Sequence, residues 1–472
     1  MRIDHIHLKN FKLFADFSLT LHPNFTLLIG ENGAGKTSVL DALAIACGVW
    51  LYDVPDQKIA SSRVSLADKH IRLEAVKKGD RTQFVPAQDT IVSAWGLLLD
   101  EHKEQWTQEI VSGKKRKVHL KEARAFVSEV FSRVTAGNDV TLPVIAYYGA
   151  GRAWLPHTER SPPAQRSYEK ASRWKAYYDC LNERIRIADL RQWFWDETTE
   201  RGNREGRYRP GFEVVKRAVL NCIPDADDAW FDTDRKDIVL SIKGLPQPFG
   251  NLSAGQRMMV ALVADIAIKC VTQNNYLVPP DELGPDDIPV SRVLAETPGV
   301  VLIDELDVHL HPRWQRRVVD DLRKTFPKIQ FVATTHSPQI LGEVPAGQVI
   351  QLEAHQNKHL WQTFGMDSNW LLKHVMHGDV RNADIERALT KIEHHLQEFE
   401  LEEAETGIAN LRTLVGETPD TVRLDTGLRR ALELTEPDEE TEPVGRRRAI
   451  DYDLPISTDD QLAEDEDPEA DE

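Results

Sequence analysis

The sequence predicts an α/β protein: a mainly parallel sheet joined to an antiparallel β subdomain, with a helical insertion and a C-terminal helical segment. Three observations carry this. FTLLIG (25–30) is an apolar strand that runs through a glycine loop into a helix. Strands and helices then alternate, as they do around a parallel sheet. GVVLID (299–304) is a second apolar strand that ends abruptly in acid.

The opening residues alternate, with Ile3, Ile6 and Leu8, then Phe17, Leu19 and Leu21, and read as a strand pair. The glycine loop and helix follow in ENGAGKTSVLDALAIAC. Strand-like stretches recur at 70–75 and 83–96. Residues 103–135 read as largely helical around a basic loop, and 103–235 as a helical insertion interrupted by the apolar strand PVIAYYG (143–149). Residues 165–200 are helical and aromatic-rich; Tyr177, Tyr178, Trp193, Phe194 and Trp195 read as helix packing. A strand at 238–243 precedes an apolar helix at 254–269, and 272–298, rich in Pro, Asp and Glu, reads as a loop insertion. KIQFVATT and GQVIQLEA are further strands. The predicted domains are therefore 1–380, a helical segment 381–435 with Ile385, Leu389, Ile392 and Leu396 at helical spacing, and an acidic, disordered tail 436–472.

Composition excludes some classes. The net charge is -18 over 472 residues. Positions 438–472 hold 15 Asp/Glu and 3 Arg, which accounts for -12 and leaves only -6 on the rest, so global acidity says little about partners. No run of about 20 apolar residues is long enough to span a membrane, and MRIDHIHLKNFKLF is charged where a signal peptide needs an apolar run. Cys47, Cys180, Cys222 and Cys270 lie far apart without ligand spacing, which fits reduced thiols in a cytoplasmic protein.

Gly30-Glu-Asn-Gly-Ala-Gly-Lys36-Thr37 matches the phosphate-binding P-loop in its required strand–loop–helix setting. Glycines let backbone N–H groups converge on phosphate, and the helix N-terminus faces the same anion. Lys36 is expected to reach the β- and γ-phosphates of ATP and Thr37 to ligate Mg²⁺. Asn32, Gly33, Gly35 and Ser38 complete the cradle. Asp304 and Glu305 stand at the carboxyl edge of a buried strand, where ligands sit in α/β sheets. Asp304 is expected to hold Mg²⁺, and Glu305 to orient or deprotonate the attacking water. Asn251-Leu-Ser-Ala-Gly-Gln256 opens an apolar helix with Ser253 at the N-cap. His336 follows the next strand.

These four elements, in this order, resemble the ABC-type ATPases. LKNFKLF before the P-loop and DELDVHLHP after the acidic strand resemble the SMC, RecF-like and OLD-like branch. The resemblance implies a signature motif at 251–256, with Ala254 where the family has Gly, and a switch histidine at His336. It further implies a head-to-head dimer in which Ser253, Gly255 and Gln256 of one copy cap the ATP of the other, with Asp307 at the same interface. No clear Q-loop glutamine stands out; Gln83 and Gln88 are the candidates. His309 and His311 read as helix-entry packing rather than a metal pair. The basic run Lys114 to Lys117 reads as a solvated loop or a nucleic-acid contact. Tyr147, Tyr148 and Arg152 read as either packing or a nucleotide edge.

P-loop and signature lie roughly 220 residues apart, too close for long coiled-coil arms. After His336 no carboxylate-rich segment suggests a nuclease; Asp451 and Asp453 fall in the acidic tail. PVIAYYGAGR (143–152), TFGMDSNWLL (363–372) and the helices at 382–433 resemble the PtuA-type ATPases of Septu and retron-Septu antiphage systems, over about residues 1–435. That resemblance implies an HNH nuclease partner and, in retron versions, a reverse transcriptase with its msDNA. It also makes 382–433 the docking candidate, because amphipathic helices need a cover. A RecF-like DNA-repair ATPase and an ATP-clamped scaffold of little turnover are the competing readings, and a higher oligomer stays open.

Overall fold

The computed structural model describes residues 1–435 apart from 79, 100, 112–114, 154–172, 203–207, 279–290, 354–355 and 361. The chain divides into two units, Met1–Val380 and Arg381–Glu472. The expected acidic tail, with Asp451 and Asp453, and Lys114 lie outside the described residues, as do residues 279–290 of the predicted loop insertion 272–298.

In the first unit, β1 (Arg2–Phe11) pairs with β2 (Phe14–Thr20). The next strand, β3 (Phe25–Ile29), is buried along its whole length and leads into α1 (Lys36–Cys47). A short helix α2 (Gln57–Ser61) and an exposed two-stranded ribbon, β4 (Leu73–Lys78) with β5 (Arg81–Pro86), follow. Then come β6 (Thr90–Leu97), β7 (Lys103–Val111), β8 (Lys115–His119), α3 (Lys121–Thr135) and β9 (Val144–Tyr148). The helices α4 (Ile187–Gly202) and α5 (Pro210–Cys222) precede a small meander, β10 (Ala226–Asp232), β11 (Asp237–Ile242) and β12 (Leu245–Pro248). The rest of the unit comprises α6 (Ala254–Gln273), α7 (Arg292–Glu296), β13 (Gly299–Ile303), α8 (Pro312–Thr325), β14 (Ile329–Thr334), α9 (Pro338–Leu341), β15 (Val349–Glu353), β16 (Gln356–His359) and α10 (Ser368–His374).

The central sheet has the order β16-β15-β3-β14-β13-β9. All its neighbouring pairs are parallel except the edge pair β15–β16. Its inner strands β3, β13 and β14 are buried along their whole length and mostly apolar because both faces are covered. Alternate residues divide between two cores. Leu27, Ile29, Val301, Ile303, Phe331 and Ala333 face one that holds α6. Leu28, Val300, Leu302 and Val332 face the other, where α1 packs with the antiparallel sheet β2-β1-β6-β7-β8.

The reading of 103–135 as largely helical is corrected. Residues 103–111 and 115–119 are the paired antiparallel strands β7 and β8, and the helix starts only at Lys121. Trp106, Gln108 and Ile110 are buried in a period of two. Trp106 Nε1 donates to the Ala46 carbonyl at 2.9 Å, and Gln108 Nε2 to that of Ile45 at 3.1 Å, so the strand pair is bound to α1. The strand expected at 143–149 is β9, an edge strand of the central sheet, and the supposed helical insertion also contains β10. Tyr177 and Phe194 are fully buried and pack as expected, whereas Tyr178 is exposed.

The second unit is a three-helix bundle of α11 (Ala383–Gln397), α12 (Leu401–Val415) and α13 (Pro419–Thr435). Asn382 caps α11 by accepting from Asp384 N at 2.8 Å. Leu389, Ile392, Ala404, Ile408, Leu411, Leu424 and Leu428 form its core. The apolar stripes therefore cover one another, which removes the argument that they need a partner for cover.

Candidate functional site

β3, β14 and β13 lie side by side and point the same way, so the segments that follow them emerge at one edge. This brings together the P-loop, the acidic pair and His336, which are far apart in sequence. Gly30, Gly33 and Gly35 all take positive φ, at 146°, 84° and 101°. A Cβ on Gly30 would lie 2.4 Å from the Leu352 carbonyl oxygen, and one on Gly35 would lie 2.6 Å from the Phe14 ring. The loop thus needs glycine for backbone conformation and for space.

Lys36 is only 8% exposed, and its Nζ donates to the Gly30 and Glu31 carbonyls at 2.7 and 3.0 Å. Its stem is tucked under the loop that it would neutralise. Burial pushes its ammonium below the usual lysine range, while the charges of Asp304, Glu305 and Asp307 oppose that shift. Ser38 is buried, whereas Asn32, Gly33 and Thr37 are exposed on the loop side. Thr37 Oγ1 donates to Asp304 Oδ2 at 2.8 Å, joining the P-loop to the acidic strand.

Asp304 is 5% exposed and receives a second hydroxyl, that of Thr334, on Oδ1 at 2.6 Å. Glu305 has φ of 50°, an uncommon conformation for a non-glycine residue. Its amide donates to Thr334 Oγ1 at 2.7 Å. Asp307 Oδ1 accepts from Thr335 Oγ1 at 2.6 Å and from the His336 amide at 3.1 Å. The expected interface residue is thus bonded within its own copy to Thr335 and to the backbone of His336. The His336 ring is at the surface. His311 caps α8 by accepting from Arg313 N at 3.2 Å, and His309 occupies a turn at φ 62°.

Ser253 caps α6 in a reciprocal capping box: its N–H donates to Gln256 Oε1 at 2.9 Å, and its Oγ accepts from Gln256 N at 3.3 Å. Gly255 packs where a Cβ would stand 2.4 Å from the His309 carbonyl oxygen. Gln83 lies in the exposed ribbon; Gln88 lies at its root, where its carbonyl accepts from Asn10 Nδ2. Tyr147 and Tyr148 are buried and do not form an open nucleotide edge. Tyr148 OH donates to Asp265 Oδ2 at 2.6 Å, and Tyr147 OH to Asp41 Oδ1 at 3.4 Å, with Lys12 also paired to Asp41. The side chain of Arg152 lies outside the described residues, and Lys115 to Lys117 belong to β8, an edge strand. Sequence reasoning missed Thr334, Thr335 and Asp41; for the first two, a pair of hydroxyl residues just before His336 was the available signal.

Glycine loop, acidic strand, His336 and capped α6 meet on one parallel sheet beside an antiparallel one. The fold is an ABC-type P-loop ATPase head. Residues 5–193 match the family described as AAA domain, and residues 242–342 match AAA domain, putative AbiEii toxin, Type IV TA system. Among curated proteins, the Retron Vc95 probable ATPase of Vibrio cholerae is 23% identical over 74% of this chain and 73% of its own length. The Septu protein PtuA of Bacillus mycoides is 26% identical over 76% of this chain and 42% of its own. The Retron Ec83 probable ATPase of Escherichia coli is 33% identical over 41% of this chain and 30% of its own. The chain thus spans less than half of two of these three relatives. It is a relative of the retron and Septu ATPases. An SMC head bound to the C-terminal winged-helix domain of ScpA aligns with 77% of this chain and 98% of its own, at 16% identity and TM-score 0.44. Among the described residues, no helix is long and apolar enough to cross a membrane.

Proposed function

We propose that this chain binds and hydrolyses ATP between two head-to-head copies, and that the ATP state controls an associated HNH nuclease in an antiphage defence complex. The observation that carries the catalytic part is the Thr37–Asp304 hydrogen bond, with Glu305 on the next residue. It sets a hard-oxygen pair beside the buried Lys36 and a helix N-terminus, a donor set that fits a nucleotide with Mg²⁺. Mg²⁺, when bound, neutralises phosphate charge, and Thr37 and Asp304 are the residues that would hold it. Lys36 and the backbone N–H groups of the loop bind phosphate oxygens. Glu305 orients the attacking water and accepts its proton, and His336 faces the γ-phosphate.

The capped N-terminus of α6, with Ser253 and Gln256 at the surface end and Gly255 behind them, supplies further N–H donors to the ATP of the second copy. The defence role and the nuclease partner rest on the likeness to the retron and Septu ATPases; in a retron version, a reverse transcriptase and msDNA join the complex. The test is to purify the native complex and identify its proteins and nucleic acids. Co-purification of an HNH protein whose cutting changes when ATP is withdrawn is the expected result. A chain that copurifies with nothing and binds DNA by itself would point to the repair reading instead.

A further inference from the structure

We propose that Thr334 is the positioning residue of the acidic pair: through one side chain and its own carbonyl it holds Asp304, Glu305 and Leu306 in the geometry that the hydrolytic step needs. The inference rests on the ATPase reading above and assigns a residue to that site.

Thr334 is the last residue of β14 and is fully buried. Its hydroxyl does two things at once. As donor it reaches Asp304 Oδ1 at 2.6 Å, and as acceptor it takes the Glu305 N–H at 2.7 Å. Its backbone carbonyl takes the next amide, that of Leu306, at 2.8 Å. Three consecutive residues of the acidic turn are therefore anchored to one residue of the neighbouring strand. The directionality matters. A hydroxyl has one hydrogen to give, and here it goes to the carboxylate, so the Glu305 amide meets a lone pair. With Thr37 on Oδ2, each oxygen of Asp304 carries one hydroxyl donor, which fixes the rotation of the carboxylate as well as its place.

Glu305 needs this support more than Asp304 does. At φ 50° it sits in the left-handed region, which costs a non-glycine residue free energy and persists only where the surroundings overdetermine it. The Thr334 hydroxyl and carbonyl flank that residue on its own amide and on the following one. A small rotation here would swing the Glu305 carboxylate away from the water that it must orient, and misplacement of that size costs rate rather than binding. Thr335 does not duplicate the task, because its hydroxyl goes to Asp307 instead.

The experiment compares full-length parent, Thr334→Val, Thr334→Ser and Thr334→Cys. Steady-state kcat and KM for ATP are measured across pH, and ATP affinity is measured with Mg²⁺ and with EDTA. Loss of an outer partner of this kind costs about 10- to 100-fold. Thr334→Val and Thr334→Cys should therefore lose at least about tenfold in kcat, with KM changed less than about threefold. The Ser variant, which keeps the hydroxyl, should stay within about threefold of the parent. The affinity gain given by Mg²⁺ should shrink in the Val and Cys variants and persist in the Ser variant. Parent-like kcat in Thr334→Val, or equal losses in the Val and Ser variants, would overturn the proposal. If Thr334→Val folds poorly, the Cys variant, with its weak S–H donor, makes the same comparison. If the parent itself does not turn over ATP, the ATPase reading fails, and the Mg²⁺-dependent affinities still decide whether Thr334 positions Asp304.

Discussion

A Cβ placed on Gly255 would stand 2.4 Å from the carbonyl oxygen of His309, so the start of α6 and the turn after the acidic strand meet backbone to backbone. No side-chain rotation relieves that approach. Gly255→Ala should therefore cost about 1–3 kcal/mol, as overpacking of a close contact does. Thermal unfolding of the parent and the variant checks this: an unchanged melting temperature would mean that the two segments are not in contact.

Lys36→Ala removes the only P-loop cation and two hydrogen bonds that shape the loop. ATP affinity should fall by at least about 100-fold, since hydrogen bonds from a charged donor contribute about 1.5–3 kcal/mol each. Isothermal titration with ATP and Mg²⁺ is the measurement, and parent-like affinity would remove the phosphate role from this loop.

Glu305→Gln keeps shape and removes the base. Turnover should drop by about 100- to 10,000-fold, the range typical of general acid–base groups, while ATP binding is retained. Light scattering of the ATP-loaded variant should show a longer-lived dimer. Ordinary hydrolysis by this variant would exclude Glu305 as the base.

The four thiols offer a pH prediction. Burial pushes Cys180, Cys222 and Cys270 up to about 12, and Cys47 higher still. These groups are neutral in the fold at a pH where an unfolded chain, with thiols near the ordinary value of about 8.5, ionises them. Each thus contributes stability that is present below that ordinary value and lost as pH rises toward the folded value. Denaturant midpoints should fall between about pH 9 and pH 12, and native protein should resist a thiol reagent at pH 8. Rapid labelling of the folded chain at pH 8 would contradict the burial.

Leu411 lies in the core of the three-helix unit at 2% exposure. Leu411→Ala should destabilise that unit by about 2–5 kcal/mol. ATP affinity should not change, because every residue assigned to the phosphate site belongs to the other unit. A variant that loses ATP binding along with the bundle would tie the two functions together.

Much of the site was legible because its chemistry is local. GENGAGKT specifies a loop, a helix start and a cation within eight residues, and the apolar run before Asp304 marks a strand buried on both faces. The β7–β8 strand pair was not legible. KEQWTQEIV mixes charged and apolar residues, and what makes it a strand is the docking of Trp106 and Gln108 onto carbonyls of α1, some 60 residues earlier. The helices of the second unit were legible, but their mutual packing was not, for a related reason. Each helix shows an apolar stripe in sequence, but whether a stripe waits for a partner or already has one is a matter of packing.

Sequence alone determined which residues form the glycine loop and which acids follow the apolar strand, because those depend on residue type and on spacing within one turn. Tertiary structure alone decided how they are held. Thr37 meets Asp304 across 267 positions, and Thr334 meets the same carboxylate across 30. Such pairs exist only because parallel strands from distant parts of the chain lie side by side and end at one edge, and strand order in a sheet is set by packing between segments rather than by any one of them.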